Sequence, residues 1–133
     1  MSDLKRHPRI APALWASLTE REQLFALTPE TPFQAQVEAT SRQYGWRAYH
    51  VVDSRFTAKG WPDFHALRDR PIVAELKSVW GALSEEQKDY LAAFAAAGYE
   101  IYVWTPLQWD EIHVVLGHEP WAWTTSGGAA PGS

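Results

Sequence analysis

The chain has 133 residues, no cysteine and a formal net charge of −4. That length fits one domain with its own core, and the lack of cysteine excludes disulfide frameworks, thiolate zinc sites and cysteine nucleophiles. No run approaches the ~18 apolar residues of a membrane span, and the basic start MSDLKRHPRIAPALWASL holds no apolar stretch of signal-peptide length, so a cytoplasmic protein with no membrane partner is expected.

Residues 1–29 have no clear register and read as an N-terminal extension. Within it, 11–27 could form a helix between Pro12 and Pro29, with Leu14, Leu18 and Phe25 inward. Thr31-Pro32 looks like a helix start, with Pro at the first helical position. Phe33, Val37 and Tyr44 then share a helical face, and Gly45 is placed to end the helix. Residues 46–52 (WRAYHVV) are aromatic and β-branched and predict a strand. The segment DSRFTAKGWP is a polar loop punctuated by Gly and Pro. Two strands follow, over 63–67 and 71–76, joined by the charged turn Arg68-Asp69-Arg70. Ser84 with Gln87 three residues on matches a capping box. The helix it opens has Leu91, Phe94 and Ala95 as its apolar face and Gly98 as its end. Residues 100–105 (EIYVWT) predict another strand, and 106–116 a last helix with Leu107, Ile112, Val115 and Leu116 inward. The tail over 119–133, ending TTSGGAAPGS, reads as flexible. The order predicts an α/β fold, a small mixed sheet flanked by helices, with a parallel strand–helix–strand crossover and a single domain over 30–118.

Cations are concentrated in the middle of the chain. Residues 42–88 carry eight Lys or Arg against six Asp or Glu, whereas residues 89–133 carry five acidic residues and no Lys or Arg. The negative total argues weakly against a nucleic-acid partner, but the cations lie in the middle segment and bound cations would offset carboxylates at a metal centre, so global charge is a poor test of one.

The chemistry is expected where the two central strands adjoin. Asp63 begins one, and Glu75 and Lys77 end its neighbour. Side chains alternate along a strand, so Glu75 and Lys77 share a face while Leu76 turns into the core. Two carboxylates with waters suit a hard, oxygen-preferring ion, Mg²⁺ or Mn²⁺, and a lysine alongside can stabilise charge developing on a phosphoryl oxygen. Taken alone, D-x11-E-x-K is a weak pattern that a solvated charge pair would also produce. Two neighbouring features support it. Glu30, Gln34 and Glu38 form one helical stripe running into Arg42, and one of them could complete the metal site. His50, Asp53, Arg55 and Lys59 precede Asp63, where His50 could contact the scissile strand and Arg55 and Lys59 could grip phosphates.

The blocks FQAQVEAT, GWRAYHVVDSR, GWPD, VAELKS and LSEEQKDYLAAFAAAGYEIYVWTP, in that order over residues 30–116, resemble the VRR-NUC nucleases of the PD-(D/E)xK superfamily. The resemblance implies a restriction-endonuclease-like core and metal-dependent hydrolysis of DNA phosphodiesters. Asp63, Glu75 and the Leu76 backbone carbonyl would be metal ligands, Lys77 the catalytic lysine and Gln87 a further catalytic residue. Ser78 would join the DNA-contacting set. Spacing favours Gln34 as the first-helix residue, and chemistry favours Glu30 or Glu38. Stand-alone members tend to be homodimers acting on branched DNA such as Holliday junctions, in a bacterial or phage-infected cell. The letters V-R-R are replaced here by Val73-Ala74-Glu75. The alternative is a catalytically idle nucleic-acid-binding or assembly domain on the same fold, against which intact Asp63, Glu75 and Lys77 argue. The lack of an H-E-x-x-H or Cys/His cluster argues against a zinc hydrolase.

Overall fold

The computed structural model describes residues 3–51 and 57–118. The predicted tail over 119–133, Asp53 and Arg55 lie outside the described residues. Four strands form one mixed sheet in the order β1 (Arg47–His50), β2 (Phe64–Leu67), β3 (Pro71–Leu76) and β4 (Glu100–Trp104). The first two pairings are antiparallel, and β3 runs parallel to β4. The helices are α1 (Pro12–Ser17), α2 (Glu20–Ala26), α3 (Glu30–Gln43), α4 (Glu85–Ala96) and α5 (Trp109–Gly117).

One face of the sheet holds the main core. Phe64, Ala66, Ile72, Ala74, Leu76 and Trp104 pack there against Phe33 and Val37 of α3 and Ile112 and Leu116 of α5. On the other face α4 makes the crossover from β3 to β4, and Leu91 is its one buried residue. Central strand β3 is covered on both sides, so all five residues from Ile72 to Leu76 are buried. This pattern is expected of a strand with helices on both faces, and here it includes a glutamate.

Helix α3 starts at Glu30, two residues before the expected first helical residue Pro32, with Pro29 as its N-cap. It ends at Gly45, whose φ of 86° allows the Trp46 N–H to reach back to the Ser41 carbonyl and its own N–H to reach Arg42. These two bonds satisfy carbonyls that the helix end would otherwise orphan. Helix α4 ends in the same way at Gly98, with Tyr99 packed edge-on against Phe94.

The expected single helix over 11–27 is two helices. Leu18 is extended, and Thr19 opens α2 with a capping box to Glu22. The break turns the first segment so that Leu14 is exposed, while Gln23 and Ala26 are buried. Tyr44 and Ala95 are also more exposed than their helical faces suggested. Tyr44 sits at the frayed end of α3 with its hydroxyl paired to His113 Nδ1 at 3.0 Å, and the larger Phe94 ring takes the contact next to Ala95. The last expected helix divides into a 3-10 turn (Pro106–Gln108), opened by Thr105, and α5.

The turn Arg68-Asp69-Arg70 closes helix ends rather than lying in solvent. Arg68 donates to the carbonyls of Tyr44, Leu116 and His118, and Arg70 to that of Val115. Both guanidinium groups lie over the Trp46 ring, and Asp69 pairs with both.

Candidate active site

The antiparallel register pairs Phe64 with Ala74. Extended by one residue, it sets Asp63 opposite Glu75 on the same face. Backbone bonds fix Asp63: its carbonyl accepts from Val51 N–H at 2.8 Å, and the residue before it, Pro62, is fully buried. The Asp63 carboxylate accepts from Leu76 N–H and from Gln34 Nε2, each at 3.4 Å.

Glu75 is fully buried. Its Oε1 accepts from Gln87 Nε2 at 2.9 Å. Among the described residues no other group donates to Oε2; its near neighbour is the Asp63 carboxyl, to which Glu75 donates while it is protonated. Burial and, next, the Asp63 charge push the Glu75 carboxyl up to about 8, against a weaker opposing pull from Lys77. Once Glu75 is ionised, that oxygen becomes a buried acceptor without a donor, which is costly. A cation between the two carboxylates would remove both the missing partner and the mutual repulsion.

Gln87 performs two tasks. Its side-chain oxygen accepts from Ser84 N–H at 2.8 Å as the capping box requires, and its amide nitrogen holds Glu75. The capping contact and the contact with Glu75 therefore coexist in one side chain. The helix end sets the position of the amide, and the amide orients the carboxylate.

The first-helix stripe divides. Gln34 touches Asp63, while Glu30, at the first turn of α3, borders the same cleft as Asp63 and Lys77. Burial raises the Glu30 carboxyl above its ordinary value; Lys77 opposes this, Asp63 adds to it and His50 opposes it. Glu38 lies two turns further on and is paired with Arg42 at 2.7 Å, so it is not brought to the site.

A cleft of about 520 Å³ opens over these groups and is lined by Glu30, Lys59, Trp61, Asp63, Lys77 and Gln87, among others. A second, of about 330 Å³, adjoins it and includes Gln34 and His50. Glu30, Trp61 and Asp63 line both. Lys59 stands at the rim and is paired with Glu86 at 3.2 Å. Ser78 is buried, its carbonyl accepts from Gly81 N–H, and it is not among the lining residues of either cleft. Leu76 is in the core, and its N–H serves Asp63. A separate, more apolar groove lined by Phe25, Thr40, Pro106 and Trp109 has no titratable group in its wall and does not adjoin this chemistry.

The oxygen donors available are Asp63, Glu75, Glu30 and the Gln34 side-chain carbonyl, a set suited to a hard divalent ion. Among the described residues no three His, Cys, Asp or Glu converge as one cluster. Two carboxylates with waters nevertheless match the way Mg²⁺ binds, since it dehydrates reluctantly. Sequence reasoning did not single out Trp61. The signal was its place directly before Pro62-Asp63 in the GWPD block. No family model, no curated protein and no solved structure matches this chain.

Proposed function

We propose that this chain is a divalent-metal-dependent DNA endonuclease that hydrolyses phosphodiester bonds. The observation that carries the proposal is the buried Glu75 carboxyl, held by Gln87 on one oxygen and facing Asp63 with the other, behind a polar cleft that Asp63, Lys77 and Gln87 line. The ordered motifs over residues 30–116 support it through their resemblance to VRR-NUC nucleases. On this reading the mixed sheet with its flanking helices is a restriction-endonuclease-like core.

Asp63 and Glu75 would hold Mg²⁺ or Mn²⁺, with the Leu76 carbonyl and Glu30 or Gln34 completing the oxygen set. The bound ion supplies Lewis-acid stabilisation of the phosphoryl oxygens and a more acidic water. Gln87 keeps the Glu75 carboxylate turned towards Asp63. Lys77, on the same face, donates a hydrogen bond to the attacking water or to the non-bridging oxygen on which charge develops. His50 and Lys59, at opposite ends of the joined clefts, bind the flanking phosphates. The same resemblance makes branched DNA the expected substrate class and a homodimer the working form, since two sites related by a twofold axis suit two-strand cleavage.

Duplex, flap, splayed and four-way-junction DNA incubated with Mg²⁺, Mn²⁺ or EDTA tests the proposal. Metal-dependent cleavage is expected, falling at least a hundredfold in Glu75→Gln and in Lys77→Ala, in line with loss of one preorganised transition-state group. Cleavage that persists in EDTA or in both variants would refute it. Metal-independent binding without cleavage would favour a nucleic-acid-binding domain.

A further inference from the structure

Trp61 is 38% exposed although it sits in an aromatic cluster. Its ring stacks on His65 at 5.4 Å and 18° and meets Tyr90 and Phe94 at steep angles, at 5.4 and 5.1 Å. Trp61 lines both clefts, the one that holds Lys77 and the one that holds His50. Unlike the exposed apolar residues elsewhere on the surface, this ring borders the polar cleft that also holds Asp63 and Lys77.

The backbone around the ring is tightly held. Trp61 N–H donates to Ala58 O at 3.0 Å. Buried Pro62 has a fixed φ and restricts the conformation of Trp61 itself. Gly60, at φ 88°, lies so close to α4 that an added Cβ would stand 2.5 Å from the Glu86 carbonyl carbon. The ring is thus a fixed platform two residues from Asp63, with cationic side chains Lys59 and Lys77 in the same cleft.

We infer that Trp61 is a nucleobase-stacking residue of this site, and that the DNA it accepts carries an unpaired base next to the scissile phosphate. The inference rests on the nuclease reading and narrows its substrate class. A paired base is already stacked within the duplex and presents only its edges, so an indole can stack on a base only where it is unpaired or extruded. Stacking on an uncharged ring tolerates any base, so selection is for structure rather than sequence.

Fluorescence anisotropy in Ca²⁺ tests this by binding alone. The probes are a labelled duplex, the same duplex with a single-stranded arm, and that arm with abasic residues. The wild type is expected to bind the armed duplex about tenfold more tightly than the plain one, a typical effect of one stacked base. Trp61→Ala and Trp61→Leu lose this preference, and Trp61→Phe keeps most of it. The Leu variant retains an apolar contact with the cluster, and the abasic arm removes the preference without altering the protein. No preference in the wild type, or an undiminished one in both variants or with the abasic arm, would overturn the inference. The two readings fail separately. Trp61-dependent binding without metal-dependent cleavage removes the nuclease and leaves the platform, whereas metal-dependent cleavage with a Trp61-independent preference removes only the platform.

Discussion

Glu75 is buried, Gln87 satisfies one of its oxygens, and the other faces Asp63. Burial and the Asp63 charge raise the carboxyl from 4.5 to about 8. A folded-state value above the unfolded one means that folding takes up a proton between these two pH values. The corresponding stability is fully present below about pH 4.5 and is lost as the pH rises through about 8. Without divalent ions, the wild-type melting temperature should therefore fall by several degrees between pH 6 and pH 9. Glu75→Gln keeps an acceptor for Gln87 and a donor towards Asp63 but removes the ionisation, so most of that fall should disappear. Parallel declines in both proteins, followed by thermal denaturation, would show that another group governs the slope.

Local signals marked some elements well. The ends of α4 were readable because Ser84, Gln87 and Gly98 act within their own turns. The strand β3 was readable because its apolar run is bounded by turn residues. The break between α1 and α2 was equally local, since Thr19 and Glu22 form a capping box, but the apolar spacing running across it suggested one helix. The role of Arg68 and Arg70 was not readable. Their partners are carbonyls at the ends of α3 and α5, and Leu116 and Val115 lie 48 and 45 residues away in sequence. Only the assembled sheet brings the hairpin to those helix ends. Arg68→Ala should cost about 2 kcal/mol, the scale of lost charged hydrogen bonds to otherwise orphaned carbonyls, read as a lower urea midpoint at unchanged m. Arg68→Lys should recover little of it, because one ammonium cannot reproduce the planar fork. A wild-type midpoint in the Ala variant would contradict the clamp.

Across the molecule, the site draws on three layers: α3 gives Glu30 and Gln34, the sheet gives Glu75 and places Asp63 and Lys77 at strand ends, and α4 gives Gln87. The pairing of Asp63 with Glu75 was legible because a hairpin register joins them. Choosing among Glu30, Gln34 and Glu38 required the angle at which α3 crosses the sheet, which no residue spacing contains. All these residues belong to one chain of 15.1 kDa, so the proposed metal site does not depend on the proposed dimer. Light scattering at micromolar concentration should give about 30 kDa for a twofold pair; a species at the chain mass would remove the dimer and leave the site. The proposed function requires that Asp63 and Glu75 form a divalent-metal site. Calorimetric titration of Mn²⁺ into the protein at pH 7, in buffers of different ionisation enthalpy, tests it most directly. Because Glu75 must lose its proton to ligate, the wild type should bind Mn²⁺ with a heat that changes with the buffer, and Glu75→Gln should lose both the binding and the proton release. No binding by the wild type, or the same binding by Glu75→Gln, would contradict the account.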